Sequence, residues 1–211
     1  MDHTILVATT NPGKVRELRS MLGDDVEWKS LADFPDVSEV EEDGSTFAEN
    51  ARKKATEYAL ATGLWTLADD SGLVVDALGG APGVNSARFS GQRAAGADRK
   101  TVDRKNNEKL LSLLKDVPEE KRTARFVCSL CLARPGEVLM ETQGTVEGRI
   151  AAEPAGSGGF GYDPLFFVPS LGRTVAQLDD AQKNAISHRG NALRKLVPQL
   201  HDLLKTGGTL E

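Results

Sequence analysis

The chain has 211 residues, with 26 basic and 31 acidic side chains, a net charge of −5 and 39% hydrophobic residues. This length buries enough surface for folding without disulfides or a structural metal, and the apolar runs are too short to cross a membrane. The acidic balance argues against a general nucleic-acid surface, and the N-terminal residues lack the positive charge of a signal peptide, so we expect one cytoplasmic domain over residues 1–211.

The first predicted elements are a buried strand and a helix joined by a short loop. Apolar residues run almost without interruption from Thr4 to Thr9, which is typical of a strand covered on both faces. The loop Thr10–Gly13 follows, and a helix is predicted from Lys14 onwards, as at the beginning of an α/β fold. Amides at the start of a helix can hold phosphate oxygens. An ordinary turn is the alternative, because a Walker A motif needs Ser or Thr where Val15 stands.

The second predicted helix begins with a capping box at Thr46–Glu49 and ends at Gly63. Its adjacent lysines, Lys53 and Lys54, diverge by about 100° around the helix, so we expect only one of them to face a given site. Before this helix, five acidic residues fall between positions 36 and 43. Such a run is usually an exposed loop, but carboxylates are also the ligands that a divalent cation prefers.

A strand over Trp65–Ala68 is predicted to end in the polar loop Asp69-Asp70-Ser71-Gly72, with extended structure resuming at Leu73. α/β folds place their sites at the ends of strands. Neighbouring carboxylates in a strand point to opposite faces, so we expect one to enter the site and the other to support the turn or the outer shell of a metal. Together with Glu41 and Glu42, they predict an oxygen-rich site suited to Mg²⁺.

The middle of the chain is predicted to contain a mobile loop, a helix and three strands. The loop covers Ser90–Arg99 and the helix covers Val102–Lys115. Two strands, Ala124–Ala133 and Glu137–Gln143, follow as a hairpin, and a third strand is predicted over Gly144–Ala151.

The two cysteines of the chain, Cys128 and Cys131, form a CxxC spacing in the first strand of this hairpin. Residues three apart in a strand face opposite sides of the sheet. A shared metal ion or a mutual disulfide is therefore disfavoured, and we predict that both cysteines are small buried core residues.

A glycine-rich segment precedes the last strand. The spacing of a dinucleotide-binding loop is satisfied by Gly156, Gly158 and Gly161. That loop must follow a strand and open a helix, whereas Pro164 disfavours a helix at this point, so we exclude a dinucleotide site. Glycine-permitted turns can instead bring Phe160 and Tyr162 against a flat ligand, the alternative being a turn with a core aromatic residue. A short buried strand is predicted over Leu165–Val168.

The last predicted element is a helix over His188–Leu204, kinked or broken at Pro198. The segment Ser187-His188-Arg189-Gly190 at its start offers a cation and an imidazole, although a single histidine in such a place is more often structural. The chain has three histidines and no GxSxG motif, so covalent catalysis is not expected.

The motifs taken together are more specific than any one of them. They occur in the order Ala8-Thr9-Thr10-Asn11 through Lys14, Thr46-Phe47 with Glu49-Asn50-Ala51 and Lys54-Ala55, Ala68-Asp69-Asp70-Ser71-Gly72-Leu73, Gly79-Gly80-Ala81-Pro82-Gly83 with Ser86-Ala87-Arg88, Gly158-Gly159-Phe160-Gly161-Tyr162-Asp163-Pro164, and Lys183 with Ala185-Ile186-Ser187-His188-Arg189-Gly190. With this combination the chain resembles the inosine/xanthosine triphosphate pyrophosphatases, a family of noncanonical purine nucleoside triphosphate pyrophosphatases.

The resemblance implies an elongated α/β protein with a mixed central sheet, flanking helices, two lobes around a substrate cleft, and a homodimer. It implies Mg²⁺-dependent hydrolysis of dITP, ITP and XTP to the monophosphate and pyrophosphate, which cleanses the nucleotide pool. Asp70 would be the proton acceptor, and Glu41 and Asp70 would bind the metal, with Glu42 as the alternative ligand. The implied substrate-binding residues are Thr9, Thr10, Asn11, Pro12, Gly13, Lys14, Lys54, Ser71, Phe160, Gly161, Tyr162, Asp163, Lys183, His188 and Arg189.

This assignment is chemically coherent. Lysines and Mg²⁺ together would neutralise the phosphates, and Asp70 would deprotonate a water that attacks the α-phosphorus. Hypoxanthine and xanthine carry a 6-oxo group that accepts hydrogen bonds from donors such as Lys183 or Arg189, whereas adenine has an amino group there.

Two alternatives stay open at this point, namely a nucleotide-binding regulatory module that does not hydrolyse its ligand, and hydrolysis of ordinary or modified nucleotides on the same scaffold. Asp70 favours an enzyme, because a carboxylate that faces phosphates is useful only with a metal. The stretch Gln92–Arg104 is longer and more basic than is usual in the family, so we expect cleft access or dimer contacts to differ there.

Overall fold

A mixed β-sheet is the framework of the protein, whose computed structural model describes residues 4–9, 18, 26–91 and 98–205. Its strands within these residues are β1 (Thr4–Val7), β2 (Glu27–Ser30), β3 (Trp65–Val75), β4 (Thr123–Arg134), β5 (Glu137–Ile150), β6 (Phe166–Val168) and β7 (Arg173–Thr174). Their order in the sheet is β2-β1-β3-β4-β5-β6-β7. β1 is parallel to β2 and β3, whereas β6 is antiparallel to β5 and β7. The predicted α/β class with a mixed sheet is therefore confirmed.

The described residues form the helices α1 (Phe47–Thr62), α2 (Arg99–Leu114), α3 (Asp180–Ile186) and α4 (His188–Lys205). The Thr46 side chain caps α1 by accepting from the Glu49 N–H, and α1 ends at Gly63 in the left-handed conformation, as predicted. α4 begins at His188 as expected and runs through Pro198 as one helix, so of the two predicted alternatives, a kink or a break, the break does not occur. None of these helices is long and apolar enough to span a membrane.

The chain divides into two compact units, each assembled from separate segments. The first unit comprises Met1–Asp70, Cys128–Gly144 and His188–Glu211, and the second comprises Ser71–Val127 and Thr145–Ser187. The strands β3, β4 and β5 contribute residues to both units. The assignment of residues 1–211 to a single domain stays a prediction.

The first unit has a hydrophobic cluster on each face of its strands. Ile5 belongs to a cluster that includes residues of α4, whereas its neighbour Leu6 belongs to one that includes residues of α1. Cys128 and Cys131 of β4 divide between the same two clusters, and both are buried free thiols. Burial raises the pKa of the Cys131 thiol to about 12. The prediction that the cysteines are core residues on opposite faces is confirmed.

The second unit has one hydrophobic cluster, in which α2 packs against the glycine-rich segment and the strand that follows it. Leu110 and Leu114 of α2 are fully buried in this cluster, together with Tyr162, Leu165 and Phe166. The glycine-rich segment contains turns and no helix, which agrees with the exclusion of a dinucleotide site.

Two predicted interruptions of strands are wrong. β3 continues through Asp69-Asp70-Ser71-Gly72, which was expected to be a loop, and β5 continues through Gly144, where two strands were expected. β3 lies between β1 and β4, and β5 lies between β4 and β6. Neighbours on both edges hold a strand extended even where glycine weakens it. The predicted hairpin is confirmed, because only Pro135 and Gly136 separate β4 from β5.

Some predictions concern positions for which no structure is described. The loop Thr10–Gly13, the start of the helix at Lys14, and residues 92–97 of the predicted mobile loop lie outside the described residues.

Candidate active site

The alternation of β3 sends its two adjacent aspartates to opposite faces of the first unit. Asp69 shares the face of Leu67, which lies in the cluster with α4, and Asp70 shares the face of Ala68, which lies in the cluster with α1. The carboxylate of Asp69 accepts a hydrogen bond from Nη2 of Arg189 at 3.1 Å, and both side chains are almost fully buried. The expected divergence of the two carboxylates is confirmed.

Asp70 forms, with Glu42, Asn50 and Lys54, a group that we call the Lys54 cluster. Lys54 Nζ lies 2.5 Å from Oε1 of Glu42 and 3.4 Å from Oδ1 of Asp70. Asn50 lies one turn before Lys54 on α1 and donates from Nδ2 to Oδ2 of Asp70 at 3.1 Å. The side chains of Lys54 and Asp70 are each 9% exposed. Two carboxylates thus share one ammonium group, and of these two only Asp70 is nearly buried, because the Glu42 side chain is 32% exposed.

The charge of Lys54 depends on these carboxylates. Burial by itself lowers the pKa of the Lys54 ammonium, but the charges of Asp70 and Glu42 more than offset burial, so its pKa is raised above its usual value. Lys54 is therefore a permanent cation at neutral pH.

The acidic loop before α1 sends consecutive side chains in different directions. Glu42 contacts Lys54, whereas Asp43 pairs with Lys53 at 2.7 Å on the surface. Glu41 is exposed and lines a surface pocket together with Lys53 and Tyr58. The structure therefore brings Glu42, the alternative metal ligand, towards Asp70. The expectation that only one of the two adjacent lysines faces the site is confirmed.

Asn50 is a site residue that the sequence interpretation missed. Its Oδ1 accepts a hydrogen bond from the Gly44 N–H at 2.8 Å while its Nδ2 holds Asp70. A side chain at Gly44 would place a Cβ atom 2.6 Å from that Oδ1, so the close approach requires glycine. The Asn50 side chain thereby connects the acidic loop to β3 through two hydrogen bonds. A polar residue beside Ala51 and Ala55 on the buried face of α1 is the signal that identifies it.

In the second unit, a buried lysine–aspartate pair fixes the turn at Phe160. Asp163 Oδ2 accepts from the Phe160 N–H at 2.9 Å and from Lys183 Nζ at 2.8 Å. The same Nζ lies 4.5 Å from the centre of the Phe160 ring. Gly159 has a φ of +71°, and a Cβ atom there would collide with the Asp163 carboxylate, so only glycine fits. The turn holds a half-buried ring against a cation.

The next peptide of this turn is held by α2. The Gly161 N–H donates to Oδ2 of Asp103 at 2.8 Å, and the Gly161 carbonyl accepts from Nδ2 of Asn107 at 3.0 Å. Tyr162 is 5% exposed, and its hydroxyl donates to the Ser86 carbonyl. Burial raises the pKa of Tyr162 above its ordinary value. The Tyr162 ring is therefore a core group, in contrast to the ring of Phe160.

The family was decided by comparison of the whole chain with known proteins. A family model described as the Ham1 family matches residues 5–199. The chain belongs to the Ham1 family. A protein of Geobacter sulfurreducens named dITP/XTP pyrophosphatase is 54% identical over 197 residues, covering 93% of this chain and 96% of the relative. A protein of the same name from Exiguobacterium sp. strain AT1b is 52% identical over 204 residues, covering 95% and 98%.

A solved structure gives the same result. The structure of a HAM1 protein from Coxiella burnetii has a TM-score of 0.84 at 42% identity, covering 95% of this chain and 99% of the other. Membership of the Ham1 family confirms the resemblance to the dITP/XTP pyrophosphatases that the motifs indicated.

The remaining predicted site residues lie in different surroundings. Thr9 follows β1, Ser71 is half-buried in β3, and His188 is the half-buried first residue of α4. Arg189 forms a buried ion pair with Asp69 in the first unit. Five predicted phosphate-binding residues lie outside the described residues, namely Thr10, Asn11, Pro12, Gly13 and Lys14.

Proposed function

We propose that the protein hydrolyses dITP, ITP and XTP to the corresponding monophosphate and pyrophosphate. Its relatives named dITP/XTP pyrophosphatase match more than nine-tenths of the chain, and this supports the substrate class. The observation that carries the proposal is the Lys54 cluster, in which Asp70 is held by Asn50 next to a buried cation and a second carboxylate. Phosphoryl transfer requires such a base together with positive charge.

The Lys54 cluster also fits Mg²⁺. Mg²⁺ usually takes one or two protein carboxylates and completes its shell with waters and substrate phosphates. Among the described residues, no group of three or more acidic, histidine or cysteine side chains is suited to a metal. Glu42 and Asp70 would hold the ion. When bound, Mg²⁺ would neutralise phosphate charge and lower the pKa of a coordinated water.

The protein residues would divide the reaction between them. Asp70 accepts the proton of the water whose oxygen attacks the α-phosphorus, and the bond from the α-phosphorus to the bridging oxygen breaks. Lys54 binds the phosphates, as do Lys14 and the loop Thr9–Gly13, so that pyrophosphate leaves as a neutralised group. Glu42 replaces Glu41 in this proposal, because the exposed Glu41 side chain lies in a different surface pocket.

The turn at Phe160 would bind the purine. The half-buried Phe160 ring offers a stacking surface, and Lys183 offers an ammonium donor for a 6-oxo group. Adenine presents an amino group at that position and would leave the donor unpaired. Arg189 was expected to contact the base, but its pairing with Asp69 supports a role in fixing β3 beneath Asp70.

The test is incubation of the purified protein and Mg²⁺ with dITP, XTP, dGTP and dATP, with separate detection of pyrophosphate and orthophosphate. We expect pyrophosphate as the first product and a clear preference for dITP and XTP. Orthophosphate as the first product, or no preference for these two nucleotides, would contradict the proposal. Binding without turnover would identify a regulatory nucleotide-binding protein instead.

The proposal includes a homodimer in the cytoplasm that has no nucleic-acid or membrane partner. Family resemblance supports the dimer, and light scattering of the eluted protein measures its mass.

A further inference from the structure

The Lys54 ammonium occupies a position that a bound metal ion also requires. We propose that Lys54 is a resident cation, which neutralises Glu42 and Asp70 in the free protein and has to be displaced before Mg²⁺ binds. The displaced side chain then turns to the phosphates of the nucleotide. This inference rests on the proposed function for the identity of the metal and of the nucleotide.

The contacts of Lys54 make it a competitor for the metal. Its Nζ lies within hydrogen-bond distance of Oε1 of Glu42 and of Oδ1 of Asp70. Asn50 donates to the other Asp70 oxygen, Oδ2, so Oδ1 is the oxygen directed to the lysine. Two cations at the same pair of oxygens repel each other, and the repulsion is strengthened on the Asp70 side, where the side chains of Lys54 and Asp70 are each only 9% exposed. Metal and ammonium therefore exclude each other at this pair of carboxylates.

The exchange has a consequence for the order of binding. In the absence of nucleotide, displacing the ammonium breaks its contacts with both carboxylates, which keeps the intrinsic affinity for Mg²⁺ low. Nucleotide phosphates supply a new partner for Lys54, so nucleotide and Mg²⁺ bind cooperatively. The protein would thereby take up the ion mainly together with its substrate.

The adjacent lysine provides a matched control. Lys53 has the same side chain one position earlier on α1, but it pairs with Asp43, whose side chain is 61% exposed. Replacing Lys53 removes the same charge from the protein and from the same helix. Long-range electrostatic effects are therefore similar in the two variants, and only Lys54 touches the proposed metal ligands.

The experiment is titration of Mg²⁺, and of Mn²⁺ followed by electron paramagnetic resonance, into the nucleotide-free protein. We expect Lys54→Met and Lys54→Gln to bind the ions roughly ten-fold more tightly than the wild type. Lys53→Met and the charge-conserving Lys54→Arg should bind as weakly as the wild type. Unchanged or weaker binding by a folded Lys54→Met or Lys54→Gln variant would overturn the inference.

A measurement on the unaltered protein covers the case in which both uncharged variants fail to fold. In nitrogen-15 spectra of the lysine ammonium groups, saturation with Mg²⁺ should shift the Lys54 signal and leave the Lys53 signal in place. A Lys54 signal that does not respond would overturn the exchange. Neither measurement uses turnover, so a negative nucleotide assay with tighter metal binding in Lys54→Met would reject the proposed function and keep the exchange.

Discussion

Each compact unit buries a lysine against an aspartate, but the two groups differ in their balance of charge. In the first unit, Lys54 forms ion pairs with both Asp70 and Glu42. In the second unit, Lys183 pairs with Asp163 at 2.8 Å, and that carboxylate also accepts the Phe160 N–H. Both lysines have side chains less than 10% exposed. The first group therefore places two carboxylates on one ammonium group, whereas the second pairs one carboxylate with one ammonium group.

The two groups therefore have different roles in the proposal. The Lys54 cluster binds a ligand, whereas the Lys183–Asp163 pair positions the backbone at Phe160. Two carboxylates beside one ammonium group can take a second cation, which supports the proposed Mg²⁺ site in the Lys54 cluster. In the second group, the Asp163 carboxylate accepts hydrogen bonds from Lys183 and from the Phe160 N–H, which fix the turn that carries Phe160. Residues of the first group should thus affect turnover and metal binding, and residues of the second should affect stability and KM.

The largest effect is expected for Asp70→Asn. The amide oxygen of the variant can accept the hydrogen bond from Asn50, but its amino group cannot accept from Lys54, and the amide cannot take a proton from water. We therefore expect kcat to fall by roughly 10²–10⁴-fold while the protein stays folded. Steady-state release of pyrophosphate measures it. Asp43→Asn is the matched control, because Asp43 forms the exposed pair with Lys53, and it should leave kcat unchanged. Near-normal turnover by Asp70→Asn would remove Asp70 from its proposed role.

The next effect distinguishes the two lysines by stability. Lys183→Met removes the ammonium group that pairs with the buried Asp163 carboxylate, which should lower the free energy of unfolding by about 3–5 kcal/mol. Mg²⁺ should not restore this loss, whereas it should raise the melting temperature of Lys54→Met towards that of the wild type. Thermal denaturation with and without Mg²⁺ measures both. If Mg²⁺ raised the melting temperatures of both variants equally, the proposed difference between the two lysine groups, that only the Lys54 cluster binds the ion, would be wrong.

Local sequence rules predicted a good part of this comparison. The alternation of side chains in a strand predicted that Asp69 and Asp70 diverge, and it does not depend on whether a loop or a continuous strand carries them. The helical angle between Lys53 and Lys54 predicted that one lysine enters the site and the other stays outside. The capping box at Thr46 predicted where α1 begins, and the order of the motifs predicted the family.

Features that depend on distant neighbours could not be predicted in this way. The continuity of β3 comes from the strands on its two edges, not from its own polar sequence. The contact of Glu42, rather than Glu41, with Lys54 is a tertiary contact, and the order of residues in the acidic run does not reveal it. The support of Gly161 comes from Asp103, 58 positions away.

The smallest expected effect tests that distant support. Asn107→Ala removes the hydrogen bond to the Gly161 carbonyl, which is worth about 0.5–1.5 kcal/mol. If the bond serves to position Phe160, KM for dITP should rise about two- to ten-fold while kcat changes little. Phe160→Ala sets the upper limit of this change, and Glu108→Ala, which removes an exposed pair with Arg104 on the same helix, is the control. An unchanged KM in Asn107→Ala, beside a raised KM in Phe160→Ala, would show that the lysine–aspartate pair alone holds the turn.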